Sequence, residues 1–297
     1  MYRRQALAIK GLMAFTFCIF LLPRVSFAKS ECAWAFVEKG FSDLESLIPI
    51  DDRDSLKTKI KENRWQDIIF LFRQWGKTKV SQALENAASS LFPSPESKDF
   101  VLMNGDHSTE VYKSVSHRTF FKPFVHRWIS TKYRGVQNSN PHAEVLAYQF
   151  SHILDLGLVP VTILKKGYGS LQFEVSKEAG KIDDSEFAKL HLFDFLINNR
   201  DRNNDNYFGF RGQIVAIDHG LAFQLESSQV GGRPPKPLQQ IRFDDMQIIF
   251  YKNLKYMLTE EKIRELMSEN FSTQIIEETI ERRRKLLARF KDDFGDV

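Results

Sequence analysis

Asp201, Asn206 and Asp218 are the residues whose types and spacing suggest chemistry. The segment Asn199-Arg200-Asp201-Arg202-Asn203-Asn204-Asp205-Asn206-Tyr207 turns strongly polar directly after an apolar run, and Ile217-Asp218-His219-Gly220 ends a β-type run twelve residues past Asn206. Moving a phosphoryl group asks little of a protein: a carboxylate to orient the accepting hydroxyl, oxygen ligands for Mg²⁺, and a lysine against the phosphates. Asp201 supplies the first, and Asn206 with Asp218 the second. Gly220 permits the turn that follows. Taken alone, Asp201–Asn206 reads better as a polar turn, because Asn and Asp bond their own backbone and tolerate left-handed geometry. An Asp at a strand end is commonplace. The two together, joined by a strand–turn–strand, move the reading toward a site. Asp followed five residues later by Asn is also the spacing of base and metal-binding Asn in H-R-D-x-x-x-x-N.

The elements that must position these residues follow from periodicity. Asp184–Asn198 is helical, with Phe187, Leu190, Phe193, Phe195 and Ile197 mostly inward. Asn206–Phe210 and Gln213–Ile217 are short strands around Arg211-Gly212. Upstream, Phe100–Val115 reads as two strands around a turn at Asn104-Gly105-Asp106, and Arg118–Val125 as a third, ended or placed at an edge by Pro123. Residues 141–156 form a helix with Pro141 at its start, and Val159–Leu164 and Ser170–Val175 are β-type. Residues 30–95 read as a helical extension, with a linker at Ser90–Ser97; from about Phe243 onward the chain is helix after helix. The expected fold class is α+β: a two-lobed arrangement with a small β-rich lobe (about 98–175), an α-rich lobe (about 176–297) and the N-terminal helical extension (29–97).

Five short motifs occur in one order and carry a resemblance. Phe120-Phe121-Lys122-Pro123, Leu158-Val159-Pro160-Val161-Thr162, Gly169-Ser170-Leu171-Gln172, the Asp201–Asn206 loop and Ala216-Ile217-Asp218-His219-Gly220 together resemble type II phosphatidylinositol 4-kinases and the secretory-pathway kinases of the Golgi casein kinase family with their bacterial relatives, within the phosphatidylinositol 3-/4-kinase-like superfamily. The resemblance covers roughly residues 100–225 and implies a protein-kinase-like fold using ATP and Mg²⁺ or Mn²⁺. By it, Asp201 and Arg202 are the catalytic pair, Asp201 orienting the attacking hydroxyl and Arg202 bracing the loop. Lys122, Glu144 and Gln172 bind ATP: Lys122 on the phosphates, Glu144 as its partner, and Gln172 with Phe173 and Val175 around the adenine. Asn206 and Asp218 hold the metal. The acceptor is left open among a lipid, a protein and a small molecule.

The sequence departs from that pattern in places. The first hairpin has Gly105 alone where many kinases carry several glycines, with Ser108 and Thr109 as substitute phosphate caps. His219 stands where the lipid kinases carry Asn, and is read as a turn residue ahead of a ligand. Neither the cysteine-rich palmitoylation segment of the animal lipid kinases nor the disulfide framework of the secretory kinases is present. A kinase-fold binding module without phosphotransfer, or nucleotidyl transfer on the same core, are the alternatives.

Residues 1–28 read as a secretory signal: Arg3, Arg4 and Lys10, a short apolar run, then Ser26-Phe27-Ala28. Export to a periplasmic or secreted location is expected, with no membrane span after cleavage. Four of the 42 basic residues lie in that stretch and no acid does, so the remaining 38 balance the 38 acids and no global basic field points to nucleic acid. Cys32 would be the lone cysteine of the mature chain. In the last helix, Arg282, Arg283 and Arg284 fall opposite an apolar stripe and read as a solvated face with pairs such as Glu278–Arg282, or as an anionic docking face with Lys285. Gly231–Pro237 reads as a loop that the resemblance puts near the substrate side, or equally as a plain connector.

Overall fold

The computed structural model describes residues 49–62, 64–75, 81, 84–85, 92–103, 110–124, 140–178, 181–228, 234–241 and 248–295. The expected signal segment, Cys32, the turn at 104–106, Ser108, Thr109 and residues 229–233 lie outside them. The chain divides into two compact units between Pro93 and Ser94.

In the first unit, helix α1 (Arg53–Lys61) is followed by α2 (Trp65–Gln74). Gln66 through Phe72 are all buried, so α2 is enclosed on every side rather than amphipathic. Its buried Asp67 is neutralised by Arg64 Nε at 2.6 Å.

The second unit is α+β, with a small antiparallel β lobe and an α-rich lobe. Strands β1 (Phe100–Leu102), β2 (Tyr112–Ser114), β3 (Thr119–Pro123), β4 (Thr162–Lys165) and β5 (Gly169–Phe173) form one sheet in the order β1-β2-β3-β5-β4. β3 therefore lies inside the sheet, and Pro123 ends it without placing it at an edge. Lys122 stands opposite Ser170, and Phe120 opposite Gln172. Gly169 makes that pairing possible: its φ is +152°, and a Cβ there would meet the Lys122 carbonyl oxygen at 2.0 Å. Helix α3 (Pro141–Ile153) packs against β4 and β5. It starts at Pro141, with Asn140 Oδ1 accepting from His142 N at 2.9 Å.

Helix α4 (Asp184–Ile197) leads into the polar loop, and hairpin β6 (Tyr207–Phe210)–β7 (Gln213–Ala216) follows it. Arg211 (φ +48°) and Gly212 (φ +84°) both adopt left-handed backbone, as a two-residue hairpin of primed type requires. Helices α5 (Ile248–Tyr256), α6 (Glu260–Met267) and α7 (Thr273–Phe294) complete the lobe. Its core is aromatic, as the 26 phenylalanines foretell: Phe150 meets Phe223 edge-on, Phe223 meets Phe271, and Phe290 contacts both Phe250 and Tyr251. Among the described residues no helix is long and apolar enough to cross a membrane.

The last helix corrects the sequence reading. Arg282 keeps the expected pairing with Glu278, at 3.8 Å, but Arg282 and Arg283 are 2% and 7% exposed and belong to no solvated or docking face. Arg282 Nε donates to the Leu196 carbonyl at the end of α4, and Arg283 Nε to those of Leu254 and Leu258 at the end of α5. Each guanidinium thus satisfies carbonyls that a helix end leaves without partners. Periodicity put both arginines on the polar side of α7, but that side carries neighbouring helix ends, which need donors. Arg284 is exposed and pairs with Glu260.

Candidate active site

The polar loop is built by turn chemistry. Asn198 ends α4 in the left-handed region, where Asn costs little, and its Nδ2 donates to the Gln224 carbonyl at 2.8 Å. Asn199 Nδ2 donates to Asp194 Oδ1, and its own Oδ1 accepts from Asp201 N at 3.2 Å. Asn203 Oδ1 accepts from Asp205 N at 2.8 Å, a side-chain-capped turn. The segment is an Asn/Asp turn, and that turn carries Asp201 and Asn206. Asn206 Nδ2 donates to the Asp201 carbonyl at 2.6 Å and reaches its carboxylate at 3.3 Å. The amide nitrogen is thereby engaged, and Oδ1 is the atom left to act as a ligand.

Arg202 is the brace of this loop. Nε and Nη2 grip the two oxygens of Asp194 at 3.0 Å each, Nη1 donates to the carbonyls of Asn206 (2.5 Å) and Ile217 (3.0 Å), and Nη2 also donates to His219 Nε2 at 2.9 Å. Guanidinium has five N–H donors, and five contacts use them all. Nothing remains for a substrate, so Arg202 positions the loop and is not itself a catalytic group. Asp194 and Asn199, both buried, are structural partners that motif reading passed over. The available signal was an acid inside the apolar run Leu192-Phe193-Asp194-Phe195-Leu196.

Across the lobes, β3, α3 and the D-H-G segment meet at one ammonium. Lys122 Nζ donates to Glu144 Oε1 at 2.5 Å and to Asp218 Oδ1 at 2.6 Å. Glu144 is 2% exposed, whereas the Asp218 side chain is 46% exposed and so faces outward as well as toward the lysine. Asp218 sits at φ +57°, a left-handed conformation that Asp tolerates, and this turns its carboxylate off the end of β7. Glu144 Oε2 accepts from the His219 backbone N–H at 3.0 Å. The N-terminus of α3 is tied to the same segment, since Asn140 N donates to the Gly220 carbonyl at 2.9 Å. Helix α3 and the D-H-G segment therefore hold each other at two points.

The electrostatics follow. Burial alone would lower the Lys122 pKa, but the Asp218 and Glu144 carboxylates reverse this and raise it above the ordinary lysine value. Lys122 in turn depresses Asp218. Burial, reinforced by the Asp218 charge, raises Asp201 above its ordinary 3.8. That shift makes it a better proton acceptor than a free Asp.

Gln172 lies on the same face of the sheet as Lys122, and both line a small pocket with Phe120, Glu144, Thr162 and Ser170. Its Nε2 donates to Thr162 Oγ1, which donates to the Pro160 carbonyl, both at 2.8 Å. Phe173 and Val175 are buried at the end of β5. His219 opens a turn, as read from sequence, its carbonyl accepting from Ala222 N at 2.9 Å; its ring is also fully buried between Arg202 and Glu144, edge-on to Phe193. Burial, then the Arg202 and Lys122 charges, hold its pKa well below the ordinary histidine value. The motif window hid this because the middle position of such a turn is exposed or buried according to what packs beneath it.

Lysine on the third strand paired with a glutamate of the next helix, and an Asp at the end of a later strand hairpin, is the protein-kinase-like arrangement. No family model matches the chain, and no curated protein matches it. A solved structure of the Golgi casein kinase is similar at 15% identity, over 72% of this chain and 77% of that one, with a TM-score of 0.42. A likeness that slight carries no argument about chemistry.

Proposed function

We propose that this chain is an exported ATP- and Mg²⁺-dependent phosphotransferase acting on a hydroxyl of a lipid, protein or small-molecule acceptor. The observation that carries this reading is Lys122, a lysine held between a buried glutamate and a half-exposed aspartate, 2.5 and 2.6 Å away. In a phosphate site that arrangement has a use, because one partner orients the ammonium while the other yields it to the ligand.

The donor set fits a hard divalent cation. Among the described residues no group of three His, Cys, Asp or Glu side chains could hold a metal ion by itself. Asp218 and the Asn206 Oδ1 are two oxygen donors, and Mg²⁺ is commonly held by one or two protein groups plus phosphate and water oxygens. Mn²⁺ suits the same oxygen set. When bound, the ion would draw negative charge from the phosphates.

The chain's own residues would do the rest. Lys122 binds the phosphates with Glu144 holding it in place, and Gln172 borders the nucleotide pocket. Asp201 orients the acceptor hydroxyl and takes its proton as the new oxygen–phosphorus bond forms and the bond to the ADP oxygen breaks. Arg202 and Asp194 keep Asp201 and Asn206 at a set spacing. The relation to type II lipid kinases and secretory-pathway kinases rests on the ordered sequence motifs, and export rests on residues 1–28.

The deciding experiment incubates the mature protein with Mg²⁺ and γ-labelled ATP over a panel of lipid, protein and small-molecule acceptors. Label transfer that requires Asp201 and Asp218 supports the reading. Folded protein that neither binds nor turns over ATP with Mg²⁺ or Mn²⁺ sinks it. Transfer of label from the α-position instead would make the chemistry nucleotidylation. N-terminal sequencing of the exported protein tests cleavage after Ala28.

A further inference from the structure

His219 lies between the two charged assemblies of the site and touches the inner side of both. Arg202 Nη2 is 2.9 Å from its Nε2. A guanidinium can only donate, so Nε2 must be the acceptor, and the ring proton therefore sits on Nδ1. That Nδ1–H is buried, has no hydrogen-bond partner among the described residues, and lies 3.9 Å from Glu144 Oε2. It is a donor facing a carboxylate across a gap slightly too long for a hydrogen bond. A buried donor without an acceptor is costly, so any small movement that closes the gap is favoured.

The movement is available at that spot. Glu144 Oε1 shares Lys122 with Asp218, and Oε2 already accepts the His219 backbone N–H. When phosphates draw Lys122 away from Asp218, the balance of charge on Glu144 would change, and a shift small enough to keep both of its existing bonds would close the gap to the ring. The ring's other side is fastened to Arg202, which itself fastens the carbonyls of Asn206 and Ile217.

We infer that His219 is a positioning residue that couples the two halves of the site: it accepts from Arg202 throughout and donates Nδ1–H to Glu144 when Mg-ATP is bound. Occupancy at Lys122 is thereby transmitted to the loop that carries Asp201 and Asn206. This inference rests on the nucleotide reading above.

Three variants separate the two contacts. His219→Phe keeps an aromatic ring against Phe193, slightly larger than the imidazole, and removes both polar atoms. His219→Gln keeps an acceptor where Nε2 stands, and His219→Asn keeps a donor where Nδ1 stands. Turnover of ATP at saturating Mg-ATP is expected to fall about 10- to 100-fold in the Phe variant, as when the outer partner of a reactive group is removed. Gln and Asn should each recover part of it. The Mg-ATP dissociation constant should change far less than turnover.

In the full-length wild type, ¹⁵N imidazole spectra should show a neutral ring protonated on Nδ1. That proton should move downfield when Mg-ATP or Mg-ADP is added. A wild type that binds and turns over Mg-ATP with an unmoved Nδ1–H, or a Phe variant as fast as wild type, overturns the coupling role and leaves the functional reading standing. Equal losses in all three variants make His219 mere packing and overturn it likewise. A wild type that binds no Mg-ATP sinks the functional reading and this inference with it.

Discussion

Lys122 and Arg202 are the two cations of the site, and they are held in opposite ways. Arg202 is 9% exposed and spends all five donors on Asp194, two backbone carbonyls and His219. Lys122 is 16% exposed and rests between two carboxylates, one of them half in solvent. A cation whose donors are all committed to the protein can shape a loop but has nothing to offer a ligand. A cation shared between a buried and a half-exposed partner can exchange one of them. On the proposed function the difference gives Arg202 an architectural part and Lys122 a binding one, although the motif places both among the functional residues.

Several experiments break or sharpen that contrast. The largest effect is expected at Asp201, which feels the charge of both cations. Asp201→Asn should lower turnover about 10²–10⁴-fold, the range for a removed general base, with Mg-ATP affinity retained by calorimetry. Loss of binding instead would place Asp201 on the nucleotide.

Lys122→Met should cost about 10²–10³-fold in turnover, as for other lost transition-state donors. It should also weaken Mg-ATP binding. It leaves Glu144 buried without its cation, so burial keeps that carboxyl raised. A folded-state pKa above the unfolded one favours folding at low pH, and the benefit is lost as pH rises through the folded value. The variant's deficit in Tm should therefore be greatest at neutral pH and shrink on acidification. A deficit that grows on acidification would show that Glu144 is not the group left unpaired.

Arg202→Lys should act on the fold first. A lysine keeps one contact to Asp194 but cannot fork, so about 2–3 kcal/mol of stability is expected to go with the lost charge-assisted bonds. Denaturant unfolding measures this, and a variant of unchanged stability but lost turnover would contradict the architectural role.

The smallest effect concerns Asp201 again. Its pKa is raised by burial and by Asp218, so its ionisation opposes folding above the ordinary 3.8. Asp201→Asn should gain no more than about 2–4 °C in Tm at neutral pH. The gain should vanish below pH 3.8, where wild-type Asp201 is protonated in both states.

Much of this was legible before any coordinates. The helix expected at 141–156 and found at Pro141–Ile153, the strands carrying Lys122 and Gln172, the hairpin with Arg211-Gly212 at its turn and the helix expected at 184–198 and found at Asp184–Ile197 follow from hydrophobic period, Pro and Gly placement. The Asp201, Asn206 and Asp218 spacing is written in one loop and one strand end. Less legible was which polar residues face inward. Arg282 and Arg283 look like surface charge because helical period separates apolar from polar, not buried from exposed. They are buried because α4 and α5 end against α7 with carbonyls unpaired. The role of Asp194 and the burial of His219 escaped notice for the same reason: each is a polar residue whose partner, Arg202, lies on another segment.

By itself the sequence determined the local elements and the residue types available for chemistry, since propensity, turn geometry and short spacings act over a few residues. Tertiary structure alone decided which of them meet. Lys122 finds Glu144 22 residues away and Asp218 96 residues away. Such pairs are set by how a sheet, a helix and a hairpin pack, and no local period encodes that distance. The same packing filled the donors of Arg202 and left one N–H of His219 facing Glu144 across 3.9 Å.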